Sequence, residues 1–441
     1  MAEINEATVD GIQYTAENKT CTLSKLIVKE KNSIVVPVSV TFPNNESYDV
    51  IAINAPCFQN FSENADVSFE FAPGSKVEKI GEQTFTCTPI KNINLPEPLR
   101  FIGDFAFAKC LKLESIIFGN NLTTIGAYSF AYTKIKSIVI PNSVETISIN
   151  AFYECTELSN VTFSPGSKLK VISRRCFGKT KLPSIVIPNS VETIEADSFE
   201  DCQYLKKVEF EGNSHLKTIE PNAFSKSLCE ITIPSSVEII LPNTFCNFPN
   251  LKVVNFEENS VLKSIGESSF EGTHLEEIHL PKSVEIINAY SFRNCAALKS
   301  VIFDGDVALK KIGPWAFQDT SLESFLISNN LESVGEYAFS NTSSLKKVSA
   351  AKNTVLKVIP PYCFLNSAVA EVEIPKSVTV VESFAFDSCK ELKKVLFVSN
   401  EEATFEYQAF CKCEQEIEFT LGEKVKVEDF TLPSNAKLLK Q

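Results

Sequence analysis

Residues 187–210 read IPNSVETIEADSFEDCQYLKKVEF, and 140–163 read IPNSVETISINAFYECTELSNVTF. The two segments lie forty-seven residues apart and share one spacing rule, which constrains the fold more than any other feature of the chain. One phenylalanine marks each copy. The series opens with Phe58, Phe85, Phe107, Phe130, Phe152, Phe177, Phe199 and Phe224, and continues with Phe245, Phe270, Phe292, Phe317, Phe339, Phe364, Phe386 and Phe410. From Phe130 onward the steps run 22, 25, 22, 25, 21, 25, 22, 25, 22, 25, 22 and 24. Short and long units alternate.

The spacing inside each unit explains that alternation. Phe152 leads to Leu158, Phe163, Leu169 and Phe177, while Phe177 leads to Leu182, Ile187, Val191 and Phe199. The extra residues fall at corners, and the segments between corners keep their length. Straight pieces that hold register while turns absorb length are the mark of a coiled repeat array, in which no single turn closes its own core. The straight pieces predict strands. In LKKVEF, Leu205, Val208 and Phe210 point inward and Glu209 outward. Pro188, Pro281 and Pro375 directly follow such strands, where a missing ladder donor does no harm. A second segment such as VETI at 191–194 offers another strand column. Phe199, Cys202 and Leu205 stand at i, i+3 and i+6, which predicts a short helical or 3-10 turn. Sixteen such turns would extend roughly 70–80 Å at strand spacing.

The combination LxxIxIPxSVxxIxxxAFxxC is written here by Leu182, Ile185, Ile187, Pro188, Ser190, Val191, Ile194, Phe199 and Cys202. It resembles the leucine-rich repeats of the BspA-like surface-antigen family, and the likeness runs over roughly residues 50–413. The resemblance implies a leucine-rich repeat solenoid, β-rich, of alternating 22- and 25-residue units. The opening TVDGIQYTAENKTCTL is similar to the segment that precedes such repeats in the family, where it is expected to form a small β cap. Family members are regarded as surface-associated or secreted proteins that mediate adhesion or host contact. The expected organisation is an N-terminal β cap over 1–50, a solenoid over 51–413 and a β-like C-terminal cap over 414–441. Ser328, Leu331 and Ala350 depart mildly from the pattern and keep its register.

Of the 14 cysteines, six share one slot three residues after a marker: Cys110, Cys155, Cys202, Cys295, Cys389 and Cys413. Phe248 fills the same slot after Phe245, which points to apolar packing. Cys57, Cys176 and Cys363 immediately precede their markers, where Ala or Ser stands elsewhere. A free thiol behaves as a small buried hydrophobe, so a reduced cysteine ladder is expected rather than disulfides. Cys411 and Cys413 form a CxC pair that Cys389 could approach, a spacing unlike that of a zinc site. Sequons at Asn18, Asn45, Asn60, Asn121, Asn160 and Asn341 fit chance in a chain this rich in Asn, Ser and Thr.

No chemical constellation emerges. His215, His274 and His279 are the three histidines, and the repeat places no nucleophile or carboxylate to make a triad with any of them. There is no P-loop and no strand–GxGxxG–helix context, so neither catalysis, nor a cofactor, nor a metal is expected. A net charge of -13 argues against nucleic acid. No run of eighteen apolar residues and no basic-then-apolar leader is visible, so no membrane insertion and no standard signal peptide are expected. Surface association implied by the resemblance and a cytoplasmic location therefore both stand open.

The outward strand positions are the better candidate for function. They run Val139, Thr162, Val186, Glu209, Thr232 and Asn255, then His279, Ile302, Leu326, Ser349, Glu373 and Leu396. A strip mixing aliphatic and polar residues can bind a protein or a glycan. The expectation is a non-enzymatic recognition or adhesion scaffold acting through this face, as an elongated monomer. An intracellular structural or assembly scaffold is the alternative.

Overall fold

The computed structural model describes residues 5–27, 33–54, 58, 61, 65, 67–303, 307–399, 401–427 and 432–440. Cys57 and Asn60 lie outside the described residues. The chain divides into two compact units, Met1–Ser227 and Leu228–Gln441. Each is a β-solenoid of stacked turns.

In the first unit the N-terminal strands β1 (Asn5–Val9), β2 (Ile12–Glu17) and β3 (Thr20–Leu26) pair antiparallel in sequence. Two further strands join the repeat columns. Strand β4 (Ser33–Val36) pairs parallel with Ser68–Phe71. Strand β6 (Ser47–Ile53) pairs with β3 on one side and with Lys79–Ile80 on the other, and β5 (Ser39–Thr41) runs antiparallel beside it. Most later turns supply one strand of three to five residues and one of two. Ser184–Ile187 pairs with Lys207–Phe210, and Val171–Ile172 with Thr193–Ile194, both in parallel. The VETI segment thus does make a second strand column.

In the second unit the same columns run from Glu230–Ile233 and Ile239–Ile240 to the far end. There Lys394–Phe397, Ile417–Leu421 and Ala436–Lys440 pair in parallel. The strand burial alternates as a period of two demands: Val208 is buried and Glu209 exposed. Phe210, expected inward, is only half-buried, because the long unit turns its corner at that residue. Among the described residues no helix is long and apolar enough to cross a membrane.

The expected helical turn at each marker is absent: no described residue is helical. Two residues, at −2 and +2 from the marker, hold a left-handed backbone and stop helix propagation. Gln83 (φ 53°) and Cys87 (φ 60°) flank Phe85; Asp197 (60°) and Asp201 (51°) flank Phe199. Tight turns replace the helix, and their backbone donors find partners by two routes. Within the turn, the Thr86 and Thr88 N–H groups donate to the Gln83 and Phe85 carbonyls. Between turns, the N–H groups of Gln83, Phe85 and Cys87 donate to the carbonyls of Asp104, Ala106 and Ala108, at 2.9, 2.7 and 3.0 Å. This makes a third hydrogen-bonded column beside the two strand columns, satisfying groups that burial would otherwise penalise. The sequence period of three at the marker is equally compatible with one helical turn and with these linked turns.

The marker rings fill the core as two continuous stacks. In the first unit they run from Phe58 to Phe224 with centroids 4.8–5.8 Å apart; in the second from Phe245 to Phe410 at 5.0–5.4 Å. The separation follows the strand-to-strand spacing of about 4.8 Å, so the backbone ladder sets the ring spacing. Close approach also fixes glycine. A Cβ on Gly103 would sit 2.6 Å from the backbone of the preceding turn, and one on Gly126 2.6 Å from Gly103. These turns can nest only without a side chain there.

The slot-sharing cysteines are buried and do more than pack. The Cys202 thiol donates to the Phe177 carbonyl of the preceding turn at 3.1 Å and meets the Thr180 hydroxyl at 3.3 Å. Cys110, Cys155 and Cys295 repeat this with Phe85 and Thr88, Phe130 and Thr133, and Phe270 and Thr273. Cys389 uses Phe364 and Ser367. The thiol adds a second donor to a marker carbonyl that already accepts from within its own turn, as Phe85 does from the Thr88 N–H and Phe177 from the Thr180 hydroxyl. Burial pushes these thiols up, Cys155, Cys202 and Cys295 to about 11 and Cys110 and Cys389 to about 12, with the hydroxyl partners opposing weakly. Cys87, in contrast, is exposed.

Two outcomes follow from this packing. Phe199→Ala should destabilise by about 3–5 kcal/mol through lost transfer and cavity energy. Hydrogen exchange should then show deprotection over residues 177–224, whereas Glu209→Ala should change stability by less than about 0.5 kcal/mol. Exchange rising around Glu209→Ala instead would mean the strand faces are reversed. The thiols give a pH signature. Their folded pKa lies above the unfolded value of 9, so their contribution is complete below pH 9 and is lost as pH climbs through 9 towards 11–12. Denaturant midpoints measured against pH should fall in that window, and less steeply in a Cys110→Ala, Cys155→Ala, Cys202→Ala variant. At pH 8, iodoacetamide should label Cys87 rapidly and spare these three until denaturant is added.

Candidate protein-binding face

The long strands present alternate residues to solvent, and the predicted ladder lies on that side. In the first unit Val139 pairs in register with Thr162, and Val186 with Glu209. In the second, Thr232 pairs with Asn255, His279 with Ile302, Leu326 with Ser349 and Glu373 with Leu396. Ten of the twelve are exposed; Ser349 and Leu396 are half-buried. The aliphatic members stand well out, Val139 at 59% and Leu326 at 58% exposure.

Two residues before each ladder position a second exposed column runs alongside. It is mostly polar: Ser137 and Asn160, Ser184 and Lys207, Glu277 and Ser300, Glu371 and Lys394 are its register pairs. The two columns interact along the strand. Lys207 Nζ lies 2.7 Å from the Glu209 carboxylate, and His279 Nε2 lies 3.6 Å from Glu277. Both pairs are open to water, so they orient side chains more than they stabilise the fold. The face therefore offers protruding aliphatic groups framed by charges of both signs.

The outward column extends beyond the predicted ladder. The same outward position continues towards the N-terminus as Val35 paired with Glu70, and Asn94 paired with Ile117. Ile117 is 59% exposed. A cleft of about 470 Å³ opens on this early part of the face, lined by Ser68, Glu70, Lys91, Asn92 and Asn94 among others. The signal was available in the sequence, because LESIIF at 113–118 keeps the spacing of LKKVEF, and IKNINLP at 90–96 that of LPSIVIP. A second cleft in the first unit, about 530 Å³, is lined by Cys87, Thr88, Lys109, Leu111, Lys112 and Tyr132.

The histidines do not converge. His215 sits at a corner with Nδ1 2.9 Å from the Asn189 carbonyl, His274 is exposed at another corner, and His279 lies on the strand face. Among the described residues no group of three His, Cys, Asp or Glu side chains could hold a metal ion. Elsewhere the surface carries alternating charge along the turns. Glu192 accepts from both Lys217 at 2.7 Å and Lys170 at 2.9 Å, which lowers its carboxyl to about 2.

The family model for the BspA type leucine rich repeat region matches in six overlapping copies, at residues 38–135, 78–205, 123–252, 170–299, 217–346 and 310–436. Among solved structures, the chain is similar to a leucine-rich repeat protein from Bacteroides ovatus, with 26% identity and a TM-score of 0.65 over 94% of this chain and 99% of that one. It is also similar to a leucine-rich cell surface protein from Faecalibacterium prausnitzii, at 19% identity and TM-score 0.41, covering 96% of this chain and 94% of that one. The pneumococcal vaccine antigen PcpA aligns at 17% identity and TM-score 0.43, covering 90% of this chain and 94% of that one. No curated protein matches the sequence.

Proposed function

The chain belongs to the BspA-type leucine-rich repeat family, and from that premise we propose that it is a non-enzymatic scaffold that recognises a protein through the outward face of its long strands. The observation that carries this reading is the contrast between the two sides of each strand. The inward positions repeat almost unchanged, Ile185, Val208, Ile231 and Val254 being buried in succession. The outward partners are Val186, Glu209, Thr232 and Asn255, and no two agree in size and polarity. Packing fixes the first set; nothing in the fold requires the second to hold exposed valine, isoleucine and leucine. Protruding aliphatics with a polar surround suit a protein partner, where buried apolar contacts supply affinity and the rim supplies register. The thiol ladder supports a second reading, an assembly scaffold in a reducing compartment, since buried thiols held by hydroxyls and carbonyls persist most readily there.

The test uses paired charge insertions on the face. Folded protein immobilised at micromolar concentration should retain a partner from surface fractions, and the same screen should include purified proteins and glycans. Val139→Glu with Val186→Glu, or Ile302→Glu with Leu326→Glu, should weaken the retained partner about tenfold or more, because an unpaired charge would be buried in the contact. Their melting temperatures should stay near that of the parent. Binding that survives both pairs would remove the strand face from the function. Antibody detection confined to the cytosol, with none on intact cells, would favour the assembly reading over adhesion.

A further inference from the structure

The second unit carries a stacked aromatic column at its surface that the core does not need. Tyr290, Trp315, Tyr337, Tyr362 and Phe384 occupy the −2 position of five consecutive marker turns. Their rings stack at centroid distances of 5.1, 5.2, 4.8 and 5.3 Å with planes within 9° of parallel. All five are half-buried rather than enclosed. Their backbones are left-handed, with φ between 55° and 62°. That conformation is unfavourable for a bulky side chain and suits Asn, Asp or Gly. Asn150, Asp197, Asn222 and Asn243 follow the preference at the same position, and in the first unit Phe105 and Tyr128 form a shorter stacked pair there. Five turns in succession therefore hold aromatic residues where the backbone favours small polar ones, and strain of this kind concentrates at functional sites.

The stacking dictates what such a strip can recognise. Each inner ring has both faces covered by its neighbours, so what remains is a row of ring edges about 20 Å long. Edges carry the positive side of the ring quadrupole and favour carbonyl oxygens. The tyrosine hydroxyls and the Trp315 indole N–H are further donors. A sugar ring, which would stack on aromatic faces, finds them occupied along the row. From Trp315 to Phe384 the charge beside the strip is mainly acidic, while at its first ring the Arg293 guanidinium lies 5.4 Å from the Tyr290 centroid. The marker turns of Trp315, Tyr337, Tyr362 and Phe384 contribute Asp319, Glu336 and Glu382 and no lysine or arginine, whereas Asp387 is buried and faces Lys412 at 3.8 Å. Neither Glu336 nor Glu382 forms an ion pair with a described residue. Burial, then Glu406 and Glu336, raises the Glu382 carboxyl, as uncompensated like charge would. A second copy of the chain would bring the same acidic strip and be repelled.

We propose that this strip is a second docking surface, distinct from the long-strand face, for an extended peptide segment bearing lysine or arginine. The segment lays its backbone carbonyls and the aliphatic stems of its basic residues along the ring edges and places their charged heads at Glu336 and Glu382. About six residues of extended chain span the row.

Trp315 is the only tryptophan in the chain, so its fluorescence reports on the strip alone. The probe is a twelve-residue peptide of alternating lysine and proline, compared with alternating glutamate and proline, titrated into the full chain at low salt. The lysine peptide should give a saturable change in Trp315 emission and the glutamate peptide none. Glu336→Gln with Glu382→Gln should raise the Kd about three- to tenfold, the loss expected for two exposed ion pairs. Glu209→Gln with Glu373→Gln, on the long-strand face, should leave it within about twofold. Tyr337→Ser with Tyr362→Ser should weaken binding even though every carboxylate remains. The proposal is overturned if Trp315 emission does not respond, if the glutamate peptide acts equally, or if the long-strand variant weakens binding as much as the strip variant.

Discussion

A marker phenylalanine has no place to go within its own turn. Twenty-two or twenty-five residues wound once enclose too little volume to remove a ring from water, so each ring is buried by the ring above and the ring below. Everything else in either unit depends on that arrangement. Rings can stack only if the backbone repeats at ring spacing, and the three hydrogen-bonded columns supply this: long strands, two-residue strands and linked marker turns. The columns in turn need small residues at the −1 position and glycine where turns nest. The Cys–Thr pairs complete the core by bringing a second donor, from the next turn, to the marker carbonyl.

The division of labour follows from the same constraint. Inward positions answer to stacking and vary little. Outward positions answer to solvent or a partner, and the face they form is broad because every turn adds one rung to it. The core of each unit is filled by stacked rings, and among the described residues the histidines lie scattered over corners and strands instead of converging.

The strand columns, the buried side of each strand and the cysteine slot were legible in the sequence because they repeat and because period two has only one structural meaning. The marker turn was not. Phe199, Cys202 and Leu205 have a spacing that a helix and a pair of linked turns share, and the left-handed residues that decide between them include Gln83, Asp197 and Arg175, with no common side chain. The hydroxyl partners of the cysteines went unnoticed for a related reason: Thr180 and Cys202 are twenty-two residues apart and adjoin only when the turns are stacked. The aromatic strip was hidden by its own neighbours. Tyr337 stands two residues from Phe339, and in a chain with 34 phenylalanines one more aromatic beside a marker attracts no notice. Of the candidate face, the direction of the side chains could be worked out from the pleat, and the early rungs were equally legible, since LESIIF at 113–118 keeps the spacing of LKKVEF.

The alternation of short and long turns has a mechanical meaning. A turn bound only to its two neighbours can leave the end of a stack without disturbing the rest. Stacked, it contributes one rung, about 4.8 Å. Drawn out, its 22 or 25 residues span roughly 75–85 Å. Tension applied to either unit would thus be met by the release of whole turns, each lengthening the tether more than tenfold over the space it had filled, while the turns still stacked keep their rings, their ladders and their faces intact.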